Sequence, residues 1–316
     1  MALERGQRLL LGTSGTSAAS RSVLRTAASW SVSFPHVTAL TGMAGTSRVW
    51  VPGPLSSTMN LFAAVHARHV GATLVDAPER ATHAVLTPAA LARLLPSLPA
   101  GIHLVVAGDR LTAGLHDRAV AAGLRVSHYY GAAELSFVAW GPHADALSPF
   151  PGVEVASREG VLWVRSPYVC QGYVGGAGPL RVDDSGFASV GDRGVLADGR
   201  VVVHGRGTEA VTTGGATVLV ADVEAALRPF TVGEVVVVGL PHPDLGQVLA
   251  AVLTSESGLA DVRVAARSLP DTHRPRRWFH VPALPTTPAG KVDRPALVAL
   301  LTSGHEGPGR LVCAAP

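Results

Sequence analysis

The sequence predicts an α/β fold in which a larger N-terminal domain, with a mainly parallel sheet and a β-rich subdomain, precedes a small α+β C-terminal domain. Three observations predict it. Apolar runs of strand length alternate with helix-like stretches between Val49 and Ala107, short strands separated by Gly and Asp follow Pro149, and a compact α+β pattern follows Arg206. The chain has 316 residues, 47% of them hydrophobic, which is enough to bury one large core or two ordinary ones. We therefore assign residues 1–205 to the N-terminal domain, with its β-rich part from about 150, residues 206–302 to the C-terminal domain, and 303–316 to a flexible tail.

The N-terminal stretch 8–24 is predicted to form a short apolar strand, a hydroxyl-rich glycine loop and a helix. Such a loop offers backbone N–H groups and hydroxyls to a phosphate, and the start of a helix adds partial positive charge. It is not a Walker loop, because Gly-Lys-Ser/Thr is absent. An ordinary strand-to-helix turn is the alternative interpretation.

The alternating part of the chain predicts parallel strands with crossover helices. Strands are expected at 49–51, 72–75, 84–86 and 103–107, and helices at 59–70 and 89–95. Gly108 ends the last of these strands, where it either allows a ligand to approach the backbone or simply forms a turn. A further strand at 124–128 leads to Tyr130, Gly131 and Glu134. A carboxylate beyond the end of a buried strand lies where open α/β sheets bind ligands, and a solvated loop acid is the alternative.

The β-rich part is predicted to contain strands at 161–164, 186–190, 194–196 and 201–204, with turns at 183–184 and 198–199. Asp192 either accepts hydrogen bonds from a diol or caps a turn. The C-terminal region is expected to contain helices at 220–227 and 261–268 and strands at 234–238 and 249–254.

Composition excludes several function classes. The net charge is +3 with scattered arginines, so nucleic acid is not an expected partner. We find no uninterrupted run of eighteen apolar residues and no secretory signal before Ser14, so no membrane span is expected. Two cysteines cannot form a disulfide framework, which favours a cytoplasmic location. No Cys/His cluster has metal-ligand spacing, so any metal should have oxygen ligands.

One lysine, Lys291, occurs among 26 basic residues, and the other 25 are arginine. A lysine that persists against this bias indicates a position where a guanidinium does not serve, with chance as the alternative.

Five segments in order along the chain resemble the AMP-forming adenylating superfamily of acyl-CoA synthetases, peptide-synthetase adenylation domains and luciferases. They lie at 13–17, 130–134, 191–192, 205–224 and 285–294, and the last, Pro-Thr-Thr-Pro-Ala-Gly-Lys-Val-Asp-Arg, is the most specific. The resemblance extends from Leu9 to Leu301 and is greatest to compact acyl-CoA ligases such as o-succinylbenzoate-CoA ligase. Most members carry a further subdomain before the glycine-rich loop, so an N-terminally shortened member is expected.

The resemblance implies that a carboxylic acid attacks the α-phosphate of ATP to give an acyl-adenylate, after which a thiol, usually of CoA, displaces AMP. It implies a catalytic Lys291 between the carboxylate and the α-phosphate, a Glu134 that holds Mg²⁺, and a mobile C-terminal domain. Tyr130 would stack on adenine, and Asp192 would bind the ribose with assistance from Arg206. The implied phosphate and nucleotide contacts also include Thr13, Ser14, Gly15, Thr16, Ser17, Arg21, Gly108 and Gly131.

Departures from the family pattern leave alternatives open. Relatives have glycine where this chain has Ala18, threonine where it has Ala133, and a charged hinge residue where it has Thr208. A homologue that binds nucleotide or acyl-adenylate without full turnover is one alternative, and transfer to a carrier protein or an amine is another. The segments around Ser56 and after Glu134 predict an apolar pocket for an aliphatic or aromatic monoacid. The basic run 273–277 predicts a contact with the phosphates of CoA, with a solvated face as the alternative.

Overall fold

The computed structural model describes residues 7–12, 22–206, 210–213, 215–287, 290–303 and 310–314, with the backbone alone at 206 and 310–314. Two compact units are formed. The first extends to Val203 and includes the segment that carries Lys291, and the second contains His204–Thr287 and the chain from Val292 onward. Lys291, assigned from sequence to the C-terminal domain, belongs to the first unit, and the predicted domain bounds stay a prediction.

The first unit is a mixed α/β structure. Its helices are α1 (Ala27–Ser31), α2 (Phe34–Thr41), α3 (Thr58–His69), α4 (Pro88–Leu94) and α5 (Ala113–Ala121), with 3₁₀ turns at Pro78–Arg80 and Leu95–Ser97. Its strands are β1 (Arg8–Gly12), β2 (Ser22–Thr26), β3 (Arg48–Trp50), β4 (Thr73–Val75), β5 (His83–Leu86), β6 (His103–Val106), β7 (Arg125–Ala132), β8 (Ser136–Gly141), β9 (Ser148–Pro149), β10 (Glu154–Arg158), β11 (Val161–Arg165), β12 (Gly172–Val174), β13 (Arg181–Val182), β14 (Ala188–Ser189), β15 (Asp192–Ala197) and β16 (Arg200–Arg206), which runs past the boundary.

The main sheet has the order β4-β3-β5-β6-β7-β8-β9. Its first five strands are parallel, and β8 and β9 add to it antiparallel. Every residue of β5 and β6 is buried, as expected of parallel strands covered on both faces. The side chains of Thr87 and Thr112 cap the first turns of α4 and α5. The predicted mainly parallel sheet is confirmed.

The segment after the glycine-rich loop differs from its prediction. Residues Ser22–Thr26 form a strand rather than a helix, antiparallel to both β1 and β12. Val23 and Arg25 are buried in alternation, and β12 lies far away in sequence, so this pairing has no local signature. A helix, α1, starts only at Ala27, capped by Thr26. The helix expected at 22–24 is therefore wrong, and its expected start lies outside the described residues.

The β-rich part forms a second sheet of the order β13-β14-β11-β15-β16, with β10 on β11. The predicted turns are present at Asp183 and at Asp198, which has a positive φ of 50°. The expected β-rich subdomain is thus confirmed.

The second unit is a small α+β structure. Its elements are β17 (Ala210–Thr213), β18 (Ala216–Leu219), α6 (Val220–Leu227), β19 (Val235–His242), β20 (Gly246–Leu253), α7 (Leu259–Arg267), β21 (Arg277–His280), α8 (Arg294–Thr302) and β22 (Arg310–Ala314), with 3₁₀ turns at Arg228–Phe230 and Asp271–His273. The sheet has the order β18-β17-β20-β21-β22, and β19 also pairs with β20. The tail was expected to be flexible throughout, but β22 pairs with β21, so its Leu-Val-Cys run completes the sheet edge. Across the described ranges, we find no helix that has the length and apolar character to cross a membrane.

Four buried histidines stabilise the first unit in their neutral form. His83 and His103 both contact the carbonyl oxygen of Thr41, at 3.1 and 3.0 Å. His128 Nδ1 lies 2.8 Å from the carbonyl oxygen of Val106. Burial lowers the pKa of His66 and of His128 to about 4 and also lowers the pKa of His83 and His103. Each can enter the core only uncharged.

We expect the free energy of unfolding to fall as the pH is lowered from about 6.5 to about 4. In that window the histidines of the unfolded chain become protonated, whereas the same residues in the folded protein stay neutral. The stabilisation present above pH 6.5 is therefore lost as the pH falls, and the loss is on the order of 3 kcal/mol for His66 or for His128. Urea unfolding at a series of pH values measures the slope. His66→Gln with His128→Gln should flatten it, and an equal slope in parent and variant contradicts the assignment.

Candidate active site

A cavity of about 370 Å³ lies in the first unit at the carboxyl ends of the parallel strands. Gly108 follows β6, and Gly131, Ala132 and Ala133 come from the end of β7 and the turn after it. The remaining described lining residues are Gly12, Trp30, Pro54, Ser56, Ser57, Thr58, Met59, Phe62, Tyr129, Ser136, Phe137 and Lys291. Three predicted site residues, Gly108, Gly131 and Lys291, are therefore brought to one cavity. It lies at the edge where open α/β sheets bind ligands.

Lys291 reaches the cavity because the residue before it is glycine. Gly290 has a φ of +76°, and a Cβ there would lie 2.5 Å from Thr87 Oγ1. A side chain at this position would be strained by its backbone and would collide with Thr87, whose own Oγ1 caps α4. A larger residue in place of Gly290 would thus displace Lys291 from the cavity.

The turn that carries Glu134 is shaped by a bulge at its start. The register shifts between Tyr130 and Gly131, and a Cβ on Gly131 would lie 2.0 Å from the carbonyl oxygen of Ser136. Ser136 itself has a φ of 60°. Glycine is therefore required for the close approach of the two strands, which directs the turn back beside the cavity.

Glu134 is buried, with 4% of its surface exposed. Tyr173 donates a hydrogen bond of 2.9 Å to Glu134 Oε1, and the Tyr173 oxygen accepts one from the backbone N–H of Leu180 at 3.1 Å. Burial, followed by the charge of Glu134, raises the pKa of Tyr173 well above its ordinary value, so the phenol remains a donor. The carboxylate is thus held in one orientation.

Arg25 lies behind the same turn and is wholly buried. Its Nη2 donates to the carbonyl oxygens of Ala133, Glu134 and Tyr168 at 2.9, 3.4 and 3.2 Å. Burial lowers the pKa of Arg25 to about 10, so the guanidinium stays charged at neutral pH. Its Nε and Nη1 make no hydrogen bond in the described part of the chain. Arg25 therefore ties β2 to the turn that carries Glu134.

Tyr130 and Asp192 form a direct pair. The Tyr130 hydroxyl donates a hydrogen bond of 2.7 Å to Asp192 Oδ2, joining β7 to β15. Asp192 is 6% exposed, so this bond compensates part of the cost of burying its carboxylate. The two residues predicted to hold the base and the ribose are neighbours.

The other predicted phosphate and nucleotide contacts have no described side chain. Thr13, Ser14, Gly15, Thr16, Ser17 and Arg21 lie outside the described residues. The backbone of Arg206 ends β16, but its side chain is not described. The roles of these residues stay predictions.

The C-terminal region, residues 222–291, matches the family described as AMP-binding enzyme C-terminal domain. The matched residues include Lys291. Residues 222–291 therefore belong to this domain family, and the match supports the resemblance of the chain to the AMP-forming adenylating superfamily.

Relatives of the same superfamily are acyl-CoA ligases by name. The uncharacterized acyl-CoA ligase YhfT of Bacillus subtilis is 25% identical, over 89% of this chain and 66% of its own. The probable 2-succinylbenzoate-CoA ligase of Mycobacterium tuberculosis is 34% identical, over 62% of this chain and 53% of its own. The chain therefore spans between half and two thirds of the length of these curated relatives.

Two solved structures share the fold of this chain. ATP-bound MatB of Rhodopseudomonas palustris superposes with a TM-score of 0.73 at 24% identity, covering 92% of this chain and 67% of its own. A variant of Escherichia coli MenE with bound OSB-AMS superposes with a TM-score of 0.77 at 22% identity, covering 96% and 70%. Both likenesses concern the fold alone.

Glu134 offers one oriented carboxylate, a type of oxygen ligand that Mg²⁺ accepts. Within the described ranges, no three His, Cys, Asp or Glu side chains lie close enough to hold a metal together. Mg²⁺ is commonly bound through one or two carboxylates, with waters and substrate phosphates as its other ligands. A single oriented carboxylate therefore fits an ion that arrives with a nucleotide and does not fit a permanent metal centre.

Sequence reasoning missed Tyr173, Arg25 and the aromatic wall of the cavity. Tyr173 lies 39 residues after Glu134, and no spacing rule joins them. Arg25 lies in β2, at the end of a stretch whose sequence predicted a helix. The aromatic residues Trp30 and Phe62 follow the apolar faces of α1 and α3, so their burial was predictable but their exposure to a cavity was not.

Proposed function

We propose that the protein is an ATP- and Mg²⁺-dependent acid:thiol ligase that activates a carboxylic acid as an acyl-adenylate and transfers the acyl group to CoA. The observation that supports it most is the presence of Lys291 in the cavity at the carboxyl ends of β6 and β7. Among the described lining residues it is the one with a charged side chain. A reaction that joins two anions needs such a cation at the point where they meet.

Each predicted site residue whose side chain or backbone is described at the cavity or beside it has a role in this proposal. Lys291 neutralises the carboxylate and the α-phosphate as they converge, and a compact ammonium fits between two converging oxygens better than a planar guanidinium. Gly108 borders the cavity without a side chain, and Gly131 allows the close strand contact from which the turn carrying Glu134 begins. Asp192 accepts hydrogen bonds from the ribose, with Tyr130 against the base. Glu134 holds the Mg²⁺, which would reduce the charge on the phosphates when bound.

The acid is a monoacid in this proposal. A second carboxylate in the cavity would find no further cation among the described lining residues, and an unpaired buried charge costs several kcal/mol. The reaction takes place in the cytoplasm in this proposal, which is the location predicted from the cysteine usage, and it consumes the acid together with ATP and CoA.

The CoA proposal is supported by the basic run before β21. Arg276 and Arg277 are exposed, whereas Arg274 pairs with Asp271 at 2.7 Å and donates from Nε to the carbonyl oxygen of Leu269. The first two are therefore better able to meet the phosphates of CoA.

Replacing Arg276 and Arg277 by Gln should raise the KM for CoA about tenfold while the KM for ATP stays unchanged. Arg274→Gln is the matched control and should leave both constants unchanged, because that guanidinium is already engaged. Steady-state thioester formation measures the three values. An unchanged KM for CoA in the double variant, or efficient transfer only to a carrier-protein pantetheine, removes CoA from the proposal.

The experiment that tests the function is pyrophosphate release across a panel of carboxylic acids with ATP and Mg²⁺, followed by addition of CoA and mass detection of the thioester. We expect release with at least one monoacid and a thioester on adding CoA. Ala133, which lines the cavity where relatives carry threonine, supports the alternative of a homologue that binds without turnover. Tight binding of an acyl-adenylate analogue with no pyrophosphate from any acid would favour that alternative.

A further inference from the structure

Four aromatic side chains that line the cavity form one connected wall. Trp30 meets Phe62 edge-on with centroids 5.4 Å apart, and Phe62 meets Phe137 at 4.9 Å and 74°. Phe137 in turn contacts Tyr129 at 4.6 Å. Trp30, Phe62 and Phe137 are each at most 7% exposed, so the wall is rigidly packed. It offers ring edges and faces to whatever occupies the cavity.

Gly108 and Lys291 also line the cavity, and Gly290 precedes Lys291 in the chain. Gly108 and Gly290 both lie against Thr87, since a Cβ on Gly108 would be 3.5 Å from Thr87 Cγ2. A Cβ on Gly108 would also lie 3.9 Å from Met59 Sδ. An acid whose carboxylate meets Lys291 would place the rest of the molecule in the cavity that the aromatic wall lines.

The size and composition of the cavity restrict that remainder. About 370 Å³ is at the low end for ligand pockets, which disfavours a long acyl chain. Flat rings gain beyond area burial when they meet aromatic neighbours in edge-to-face or offset geometry. A saturated ring of the same size gains the burial alone.

We propose that the cavity selects an aromatic monocarboxylic acid, with Phe62 as a specificity-determining residue. This proposal rests on the proposed function for its chemistry but concerns the recognition of the acid. Phe62 is the residue to choose because it joins Trp30 and Phe137 and lies at the cavity surface.

The test compares acids matched in size on the purified chain: benzoate with cyclohexanecarboxylate, with hexanoate and terephthalate added. Pyrophosphate release gives kcat/KM for each, and calorimetric titration gives the affinity of each acid without requiring turnover. We expect benzoate to exceed cyclohexanecarboxylate roughly 10-fold, the result of one or two favourable ring contacts. Terephthalate should be rejected, because its second carboxylate would be unpaired.

Phe62→Leu should reduce the preference for benzoate over cyclohexanecarboxylate to about threefold or less, because it keeps apolar volume and removes the ring. Phe34→Leu is the matched control. Phe34 packs on Phe62 with ring centroids 5.4 Å apart and is not among the described lining residues of the cavity, so the preference should stay.

The outcomes separate the two proposals. Turnover of acids with cyclohexanecarboxylate or hexanoate equal to benzoate overturns the aromatic preference alone. Absence of turnover with preferential binding of benzoate overturns the ligase function and supports the aromatic site. Neither turnover nor binding of any of the acids overturns both. Equal loss of preference in Phe34→Leu and Phe62→Leu removes the assignment to Phe62.

Discussion

Replacing Lys291 by alanine should abolish formation of the acyl-adenylate while leaving thioester formation from supplied acyl-adenylate within a few-fold of the parent. The ammonium is needed where the carboxylate meets the α-phosphate, and that encounter occurs only in the first half-reaction. Removing a preorganised group that stabilises developing charge typically costs about 10²–10³-fold in kcat, and more where, as among the described residues of this cavity, no second charged side chain is present. Pyrophosphate release in single turnover measures the first step, and AMP release from supplied acyl-adenylate measures the second.

Lys291→Arg is the informative second variant. It keeps a positive charge on a longer, planar group, so partial recovery of adenylation would separate charge from shape. Equal loss in both half-reactions would mean that Lys291 has a structural role, and normal adenylation by the alanine variant would contradict the assignment outright.

Replacing Arg25 by methionine should lower the free energy of unfolding by about 3 kcal/mol or more, a typical cost of removing one partner from a buried set of charges. The change leaves three carbonyl oxygens without their shared donor and removes the buried cation whose charge interacts with Cys170 and with Glu134. Denaturant unfolding followed by tryptophan fluorescence measures it, since Trp30 lies 5.8 Å from the Arg25 guanidinium.

The double variant Arg25→Met, Glu134→Gln tests the reason. If charge imbalance causes the loss, then Gln in place of Glu134 should restore part of the stability lost in Arg25→Met, because the isolated buried charge is gone. An Arg25→Met protein as stable as the parent, or a double variant whose losses simply add, would show that the guanidinium does not balance Glu134.

The features that were predictable from sequence are those with a local or repeating signal. The buried runs that became β5 and β6, and the strand leading to Tyr130, Gly131 and Glu134, follow from apolar patterning. Lys291 stood out because arginine fills the other basic positions. The apolar patterning predicted the parallel sheet. In the structure, Gly108, Gly131 and Lys291 line one cavity.

The rest depended on contacts between distant residues. Arg25 is an arginine on an inward-facing strand position, the opposite of the usual preference of this residue for solvent. The strand that carries it pairs with β12, about 150 residues away, so a short polar stretch that looks helical locally becomes extended. Tyr173 and the Tyr130–Asp192 pair likewise exist only once the chain has folded.

The direction of the parallel strands separates two kinds of chemistry. His83 and His103 are the first residues of β5 and β6, whereas Gly108 lies two residues beyond the end of β6 and borders the cavity, whose described lining contains no imidazole. The contribution of these two histidines to acid tolerance thus arises at the strand ends away from the cavity, whereas His66 stacks on Phe62 and His128 precedes Tyr129 in β7, two residues of the cavity lining. A protein engineer who wants a broader working pH range would therefore exchange His83 and His103 first, because these positions do not border the substrate.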